Sequence, residues 1–201
     1  MNAIKAVIWD LAGVLLLTVK GTFNSLLAER LDAPLKEIER VMSTPENDLW
    51  DMDEIDDDAF YTFLLNELGM PMEKKSILRK FVLDDFYVDQ ELLTYIRNLH
   101  RSYSTALLTN FPAHLHDFRK TDWIMDGAFD DLIASCDVKL LKPDPAIYKL
   151  TLELIGYRAE ETVFIDDREV NVKAAENLGM NILLYENRTQ TIKDLEAILQ
   201  K

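Results

Sequence analysis

An α/β fold with a doubly wound parallel sheet is predicted by two features of this sequence, which alternate along the chain. Short apolar runs rich in β-branched residues are typical of buried parallel strands. They occur at residues 6–9, 105–108, 132–134, 163–165 and 182–185. Stretches with helical spacing lie between the later runs, at residues 90–100, 145–156 and 169–179.

The interval between the first two predicted strands is far longer than one crossover helix requires. It has helical patterning almost throughout, with predicted helices at residues 23–31, 34–42, 57–68 and 73–81. An inserted helical bundle explains this interval. We therefore expect a helical domain at residues 16–86 and an α/β core built from residues 1–15 and 87–201.

Composition restricts the classes of partner. The 201 residues include 22 basic and 36 acidic side chains, which gives a net charge of −14 and opposes binding to nucleic acid or an anionic membrane. Cys136, the lone cysteine, cannot form an internal disulfide, and no stretch has the length and apolarity of a membrane span or secretory signal. A cytoplasmic protein is expected.

Polar residues that directly follow the apolar runs are the candidates for a site, because ligands of open α/β sheets bind beyond the carboxyl ends of the strands. Taken singly, each has an ordinary explanation as a turn, a helix cap or a surface residue. The residues are Asp10, Thr109, Asn110, Asp166 and Asp167, together with Lys142, which follows the third run at some distance.

The adjacent pair Asp166 and Asp167 is the most informative of these signals. Two neighbouring carboxylates beside a third, Asp10, repel one another unless a cation or a proton neutralises them. Oxygen ligands of this kind suit Mg²⁺.

Taken in order, four segments resemble the four motifs of the haloacid dehalogenase-like (HAD) superfamily. They are residues 6–14, 107–110, 141–144 and 163–167, and the resemblance continues into residues 168–179. It implies a Rossmann-like core, and the insertion after the first motif resembles the helical-bundle cap domain of one subclass.

The resemblance also implies a chemistry. It suggests a Mg²⁺-dependent phosphatase that hydrolyses a small phosphorylated metabolite through an aspartyl-phosphate at Asp10. Asp10, Thr109 and Lys142 would be catalytic, and Thr109, Asn110 and Lys142 would bind the phosphoryl group. The metal ligands would be Asp10, the backbone carbonyl of Ala12, Asp166 and Asp167.

Ala12 departs from the family pattern, which usually has an acid–base Asp two residues after the nucleophile. Such a group contributes about 10²–10⁴ in rate. His114 or His116 is a candidate replacement, although two solvent-facing histidines are an ordinary feature of a helix. The alternatives are a slow phosphatase and a regulatory protein that binds phosphate without turnover.

Two other functions share parts of this pattern. A haloacid dehalogenase would use Asp10 without a metal, but it would have little use for both Asp166 and Asp167. A phospho-receiver domain would have its acidic pair after the first strand, whereas here the single Asp comes first.

Substrate selection is expected to come from the inserted helices. Trp50 is predicted to lie in a loop, where it would be the best aromatic candidate for a substrate contact; Phe60, Tyr61 and Phe63 have the spacing of a bundle core. The acidic cluster at residues 48–58 is predicted to be a solvated loop with a helix N-cap rather than a calcium site.

Overall fold

The computed structural model describes residues 3–113 and 127–200. Its strands are β1 Ala6–Trp9, β2 Leu16–Thr18, β3 Phe86–Val88, β4 Ser104–Thr109, β5 Asp131–Ala134, β6 Thr162–Asp166 and β7 Asn181–Leu184. The helices of the inserted segment are α1 Phe23–Leu31, α2 Leu35–Val41, α3 Pro45–Asp51, α4 Asp57–Glu67 and α5 Lys75–Asp85. The remaining α-helices are α6 Gln90–Leu99, α7 Ser135–Val138, α8 Pro145–Ile155, α9 Glu169–Glu176 and α10 Arg188–Leu199, and short 3-10 turns occur at Met72–Lys74 and Ala159–Glu161.

Five strands form one parallel sheet in the order β5-β4-β1-β6-β7. The first strand, β1, lies at the centre and all four of its residues are buried. Because β1, β4 and β6 run in the same direction side by side, their carboxyl ends meet at one edge of the sheet. The polar residues that follow these strands therefore lie at that edge.

Helices cover both faces of the sheet. Val7 and Trp9 of β1 pack in a core that includes Leu92 of α6 and Leu195 of α10. Ile8, whose side chain points the opposite way, packs in a second core with residues of α8 and α9. The predicted doubly wound α/β fold is confirmed.

Helices α1 to α5 pack around a hydrophobic core of their own, which includes Leu31, Phe60 and Leu64. An antiparallel ribbon of β2 and β3 begins and ends this segment, with Leu16 opposite Val88. The sequence patterns did not predict the ribbon, because three residues per strand are too few to show an alternation. The division into two domains at residues 16 and 86 stays a prediction.

The prediction that Trp50 lies in a loop was wrong. Trp50 belongs to α3, which has Pro45 in its first turn, a position where the fixed φ of proline favours a helix start. The indole stacks on the Phe60 ring at 4.1 Å and donates a hydrogen bond to Asp57 at 2.7 Å. Packing against α4 therefore stabilises a helix too short to show its own periodicity.

The acidic cluster is likewise part helix and part loop. Asp48 and Asp51 lie in α3, while Asp56 caps α4 by accepting a hydrogen bond from the Ala59 N–H at 2.7 Å, as predicted. Asp58 pairs with Lys75, and Asp53 pairs with Lys139. His114 and His116 lie outside the described residues.

Within residues 3–113 and 127–200, the helices are too short or too polar for any of them to traverse a lipid bilayer.

Candidate active site

The carboxyl edge of the sheet borders a cavity of about 270 Å³. One wall comes from the α/β core and includes Asp10, Ala12, Asn110, Lys142, Asp167 and Asn171. The facing wall comes from the inserted helices and includes Phe23, Met42, Asn47, Trp50 and Asp51. The motif residues at the ends of separate strands therefore meet at one cavity.

Lys142 forms the centre of the polar cluster. Its Nζ lies 2.7 Å from Asp10 Oδ1 and 2.7 Å from Asp166 Oδ2. All three side chains are at least nine-tenths buried, so water screens these charges poorly. The ammonium group thus contacts both Asp10, which follows β1, and Asp166, which ends β6.

Asp10 presents its two carboxylate oxygens differently. Oδ1 accepts hydrogen bonds from Lys142 and from the Leu11 N–H, the latter at 2.7 Å. The described residues provide no hydrogen bond to Oδ2. One oxygen is therefore held in position while the other is available to a ligand in the cavity.

Asp166 accepts hydrogen bonds from three residues. Its carboxylate accepts from Lys142, from the Arg168 N–H at 2.8 Å and from Asn171 Nδ2 at 2.9 and 3.0 Å. The amide of Asn171 must have this orientation, because its oxygen would repel the carboxylate. Asn171 therefore positions Asp166.

Asp167 lies against the backbone of Gly13. A Cβ atom at residue 13 would come within 2.3 Å of Asp167 Oδ2, and Gly13 has φ +88°, which side chains disfavour. Glycine in the first motif thus makes room for a carboxylate of the fourth. The sequence motif contained this glycine, but only the structure reveals its role.

Burial and the excess of negative charge shift the pKa values of the side chains in this cluster. Burial raises the pKa of Asp10 to about 7 against the opposing effect of Lys142, and the nearby Asp166 and Asp167 contribute to the rise. Desolvation and then Asp166 raise the pKa of Asp167. Burial alone would lower the pKa of Lys142, but the adjacent carboxylates raise it above its ordinary value.

These features fit a divalent cation. One carboxylate oxygen from each of Asp10, Asp166 and Asp167 lies within 4.8 Å of the others, and one ammonium charge opposes three carboxylates. Oxygen donors at this spacing suit Mg²⁺. Among the described residues no second group of three such carboxylate, histidine or cysteine ligands occurs.

Asn110 positions Lys142 through its side chain. The amide donates to the Lys142 carbonyl and accepts from the Lys142 N–H, both at 2.9 Å. Thr109 is fully buried at the end of β4 and is not among the described residues that line the cavity. The predicted contacts of Thr109 and Asn110 with a phosphoryl group stay predictions.

Sequence reasoning gave no role in the site to three polar residues of the cavity wall, which are Asn47, Asp51 and Arg168. Arg168 follows the fourth motif, but Asn47 and Asp51 lie on α3, which had no recognisable pattern. Burial and the neighbouring Asp48 raise the pKa of Asp51 to about 7, although Arg168 opposes the shift.

The fold and this cluster define a class of α/β protein whose clustered carboxylates lie at the carboxyl ends of the strands of a parallel sheet. A family model described as haloacid dehalogenase-like hydrolase matches residues 4–179. The chain belongs to this family of hydrolases, as its motifs indicated.

Curated relatives of two kinds match the chain. A sesquiterpene phosphatase from Aspergillus oryzae is 26% identical over 197 residues, which cover 97% of this chain and 96% of the relative. Bifunctional epoxide hydrolase 2 of Rattus norvegicus is 33% identical over 104 residues, which cover 49% of this chain and 18% of that protein. The chain thus spans a small part of the second relative.

A solved structure shares the fold. It is a HAD family enzyme from Bacteroides thetaiotaomicron in complex with magnesium and inorganic phosphate, with a TM-score of 0.74 and 21% identity. The match covers 92% of this chain and 95% of that chain.

Mg²⁺ is expected to stabilise the folded protein, because it neutralises carboxylates that are separated on unfolding. At a concentration of 100 times Kd, the free energy of unfolding should rise by about 2.7 kcal/mol. Thermal unfolding with and without MgCl₂ measures this, and Asp167→Asn should lose most of the gain. Glu176→Gln removes an equal charge from an exposed site on α9 and should keep it. Equal gains in both variants would contradict a metal site at Asp167.

Proposed function

We propose that this protein is a Mg²⁺-dependent phosphatase of small organophosphates, with Asp10 as the nucleophile. The observation that carries the proposal is the convergence of Asp10, Asp167 and Lys142 at one cavity, with Asp166 beside them in contact with Lys142. Asp10 Oδ2 is the atom proposed to attack phosphorus. Its partner Oδ1 is held by Lys142 and by the Leu11 N–H, which would orient the attack.

The reaction has two steps. In the first, Asp10 forms a bond to phosphorus and the bond to the leaving oxygen breaks. In the second, water attacks phosphorus, the bond between phosphorus and the Asp10 oxygen breaks, and phosphate and the Asp10 carboxylate are released. Mg²⁺, when bound, screens the repulsion between the attacking carboxylate and the phosphoryl oxygens. Asp10, Asp166, Asp167 and the Ala12 carbonyl are its proposed ligands.

Lys142 supplies the fixed positive charge of the site. We propose that it keeps Asp10 ionised and interacts with the transferring phosphoryl oxygens. Since the Asn110 side chain is occupied by the Lys142 backbone, its part in phosphate binding is assigned to its N–H group. The Thr109 hydroxyl is the second proposed donor.

Similarity supports the same reaction. The Aspergillus relative is a phosphatase that matches nearly all of this chain, and the Bacteroides enzyme with the same fold was solved with magnesium and inorganic phosphate. A haloacid dehalogenase is less well supported, because a metal-free reaction gives no use to a cluster of three carboxylates.

The inserted helices are proposed to form a cap, residues 16–86, over the core of residues 1–15 and 87–201. Contacts between the inserted segment and the α/β core support this: Ser135 Oγ donates to the Asp51 carbonyl, and Lys139 Nζ donates to the Asp53 carbonyl at 3.1 Å. The cap therefore supplies the wall that faces the organic part of a bound substrate.

That wall favours an apolar organic group. Phe23, Met42 and Trp50 line it from the inserted helices, and Phe86 and Phe111 line the cavity nearby. Apolar surface removed from water there contributes roughly 25 cal/mol per Å². We therefore propose alkyl, prenyl or aryl phosphates as the substrate class, in agreement with the sesquiterpene phosphatase relative.

The purified protein is expected to release phosphate from an aryl phosphate in the presence of Mg²⁺. The release should stop when excess chelator is added. Asp10→Asn should lower kcat by more than about 10³-fold, because the amide is not a nucleophile. Glu176→Gln, again the charge-matched control, should retain the wild-type rate.

Magnesium-dependent binding of inorganic phosphate without hydrolysis would instead identify a regulatory phosphate-binding protein, the alternative that Ala12 favours. Undiminished hydrolysis by Asp10→Asn would exclude Asp10 as the nucleophile.

The substrate class is tested by comparing KM for hexyl phosphate and glycerol phosphate. We expect a lower KM for hexyl phosphate, and Met42→Gln should raise that value about 3–10-fold because the apolar wall becomes polar. The KM for glycerol phosphate should change little. A lower KM for glycerol phosphate in the wild type would contradict an apolar substrate.

A further inference from the structure

The cavity contains an acid that the proposed reaction does not yet use. Asp51, at the end of α3, is partly buried and lines the same cavity as Asp10 and Asp167. It reaches the cavity from the inserted helices, the side on which the leaving group of a substrate would lie.

Core contacts hold this end of α3 in position. The Ser135 hydroxyl, at the start of α7, donates a 2.5 Å hydrogen bond to the Asp51 carbonyl and itself accepts one from the Phe111 N–H at 2.9 Å. Ser135 is fully buried. The backbone of Asp51 is thereby tied to the segment that follows β4, next to the second motif.

The Asp51 side chain has its own partner. Asn47 lies one helical turn earlier and its amide nitrogen is 3.4 Å from Asp51 Oδ2. Asn47 also lines the cavity, and its Oδ1 is buried without a hydrogen-bond partner among the described residues. The two side chains form a polar pair on an otherwise largely apolar wall.

Elimination among the described residues that line the cavity leaves Asp51 as the candidate for the acid–base role. Among the described residues that line the cavity, the titratable groups besides Asp51 are Asp10, Lys142, Asp167 and Arg168. Asp10 is the nucleophile, Asp167 belongs to the metal cluster, Lys142 is paired with two carboxylates, and an arginine keeps its proton. Asp51 is the one remaining group in this set that can give and take a proton.

The surroundings of Asp51 suit that exchange. Burial and Asp48 on the same helix raise its pKa to about 7, while Arg168 and Lys142 on the core side act in the opposite direction. Asp10 and Asp167 line the same cavity. An acid–base group works best with a pKa near the working pH.

We propose that Asp51 is the general acid and base of this enzyme, in place of the carboxyl group that Ala12 lacks. The inference rests on the proposed phosphatase function. As Asp10 bonds to phosphorus and the bond to the leaving oxygen breaks, the electron pair stays on that oxygen, which takes the proton of Asp51. In the second step the Asp51 carboxylate takes a proton from the attacking water, phosphate leaves and Asp10 is regenerated.

The test compares two leaving groups in one variant. A nitrophenyl leaving group departs without a proton, whereas an alkoxide such as that of hexyl phosphate requires one. We expect Asp51→Asn to lower kcat/KM for hexyl phosphate about 10²-fold or more and that for nitrophenyl phosphate only a few-fold. The ratio of the two losses does not depend on the folded fraction of the variant.

The pH profile provides a second readout. Since Asp51 must be protonated to assist departure, kcat/KM for hexyl phosphate should fall as pH rises through its pKa, and Asp51→Asn should lack this fall. Asp48→Asn is the matched control on the exposed side of α3. It should retain activity toward both substrates and move the fall to lower pH, because the charge of Asp48 raises the pKa of Asp51.

The outcomes separate this inference from the function on which it rests. If the wild type hydrolyses both esters through Asp10 but Asp51→Asn loses the same factor with each, or loses nothing, Asp51 is not the acid and the phosphatase function stands. If the wild type hydrolyses neither ester, both proposals are wrong.

Discussion

The buried ammonium group of Lys142 is the interaction on which the site depends. It lies 2.7 Å from each of two carboxylates that belong to different strand ends. Removing one partner of a buried ion pair typically costs about 3–5 kcal/mol, because the remaining charge is left without compensation. Without this group, Asp10 and Asp166 would repel one another at the centre of the sheet.

Topology brings these groups together, and each has a separate support. The order β4-β1-β6 aligns three carboxyl ends, Asn110 holds Lys142 through two backbone hydrogen bonds, and Asn171 holds Asp166. Charges fixed in advance need little reorganisation during a reaction. The inserted helices complete the cavity and contribute the apolar wall and Asp51.

The α/β core could be predicted from the sequence, because the patterns that indicate its strands are local. Apolar runs followed by Asp10 and Asp166 predicted both the strands and the residues at their ends. The β2–β3 ribbon and α3 were not readable, because three-residue strands and a seven-residue helix show too little periodicity. Asp51 lies on this short helix, and its backbone is held by a contact with Ser135, 84 residues away in the chain, which no local pattern indicates.

The most direct test of the central claim is to look for the phosphoryl group on Asp10. Protein mixed with Mg²⁺ and excess aryl phosphate would be quenched rapidly in acid, where an acyl phosphate survives long enough for peptide mass spectrometry. The account predicts that the peptide containing Asp10 gains the mass of one phosphoryl group, and that Asp10→Asn abolishes the gain. The account would be contradicted if the protein turned over the substrate and the phosphoryl group were found on a residue other than Asp10.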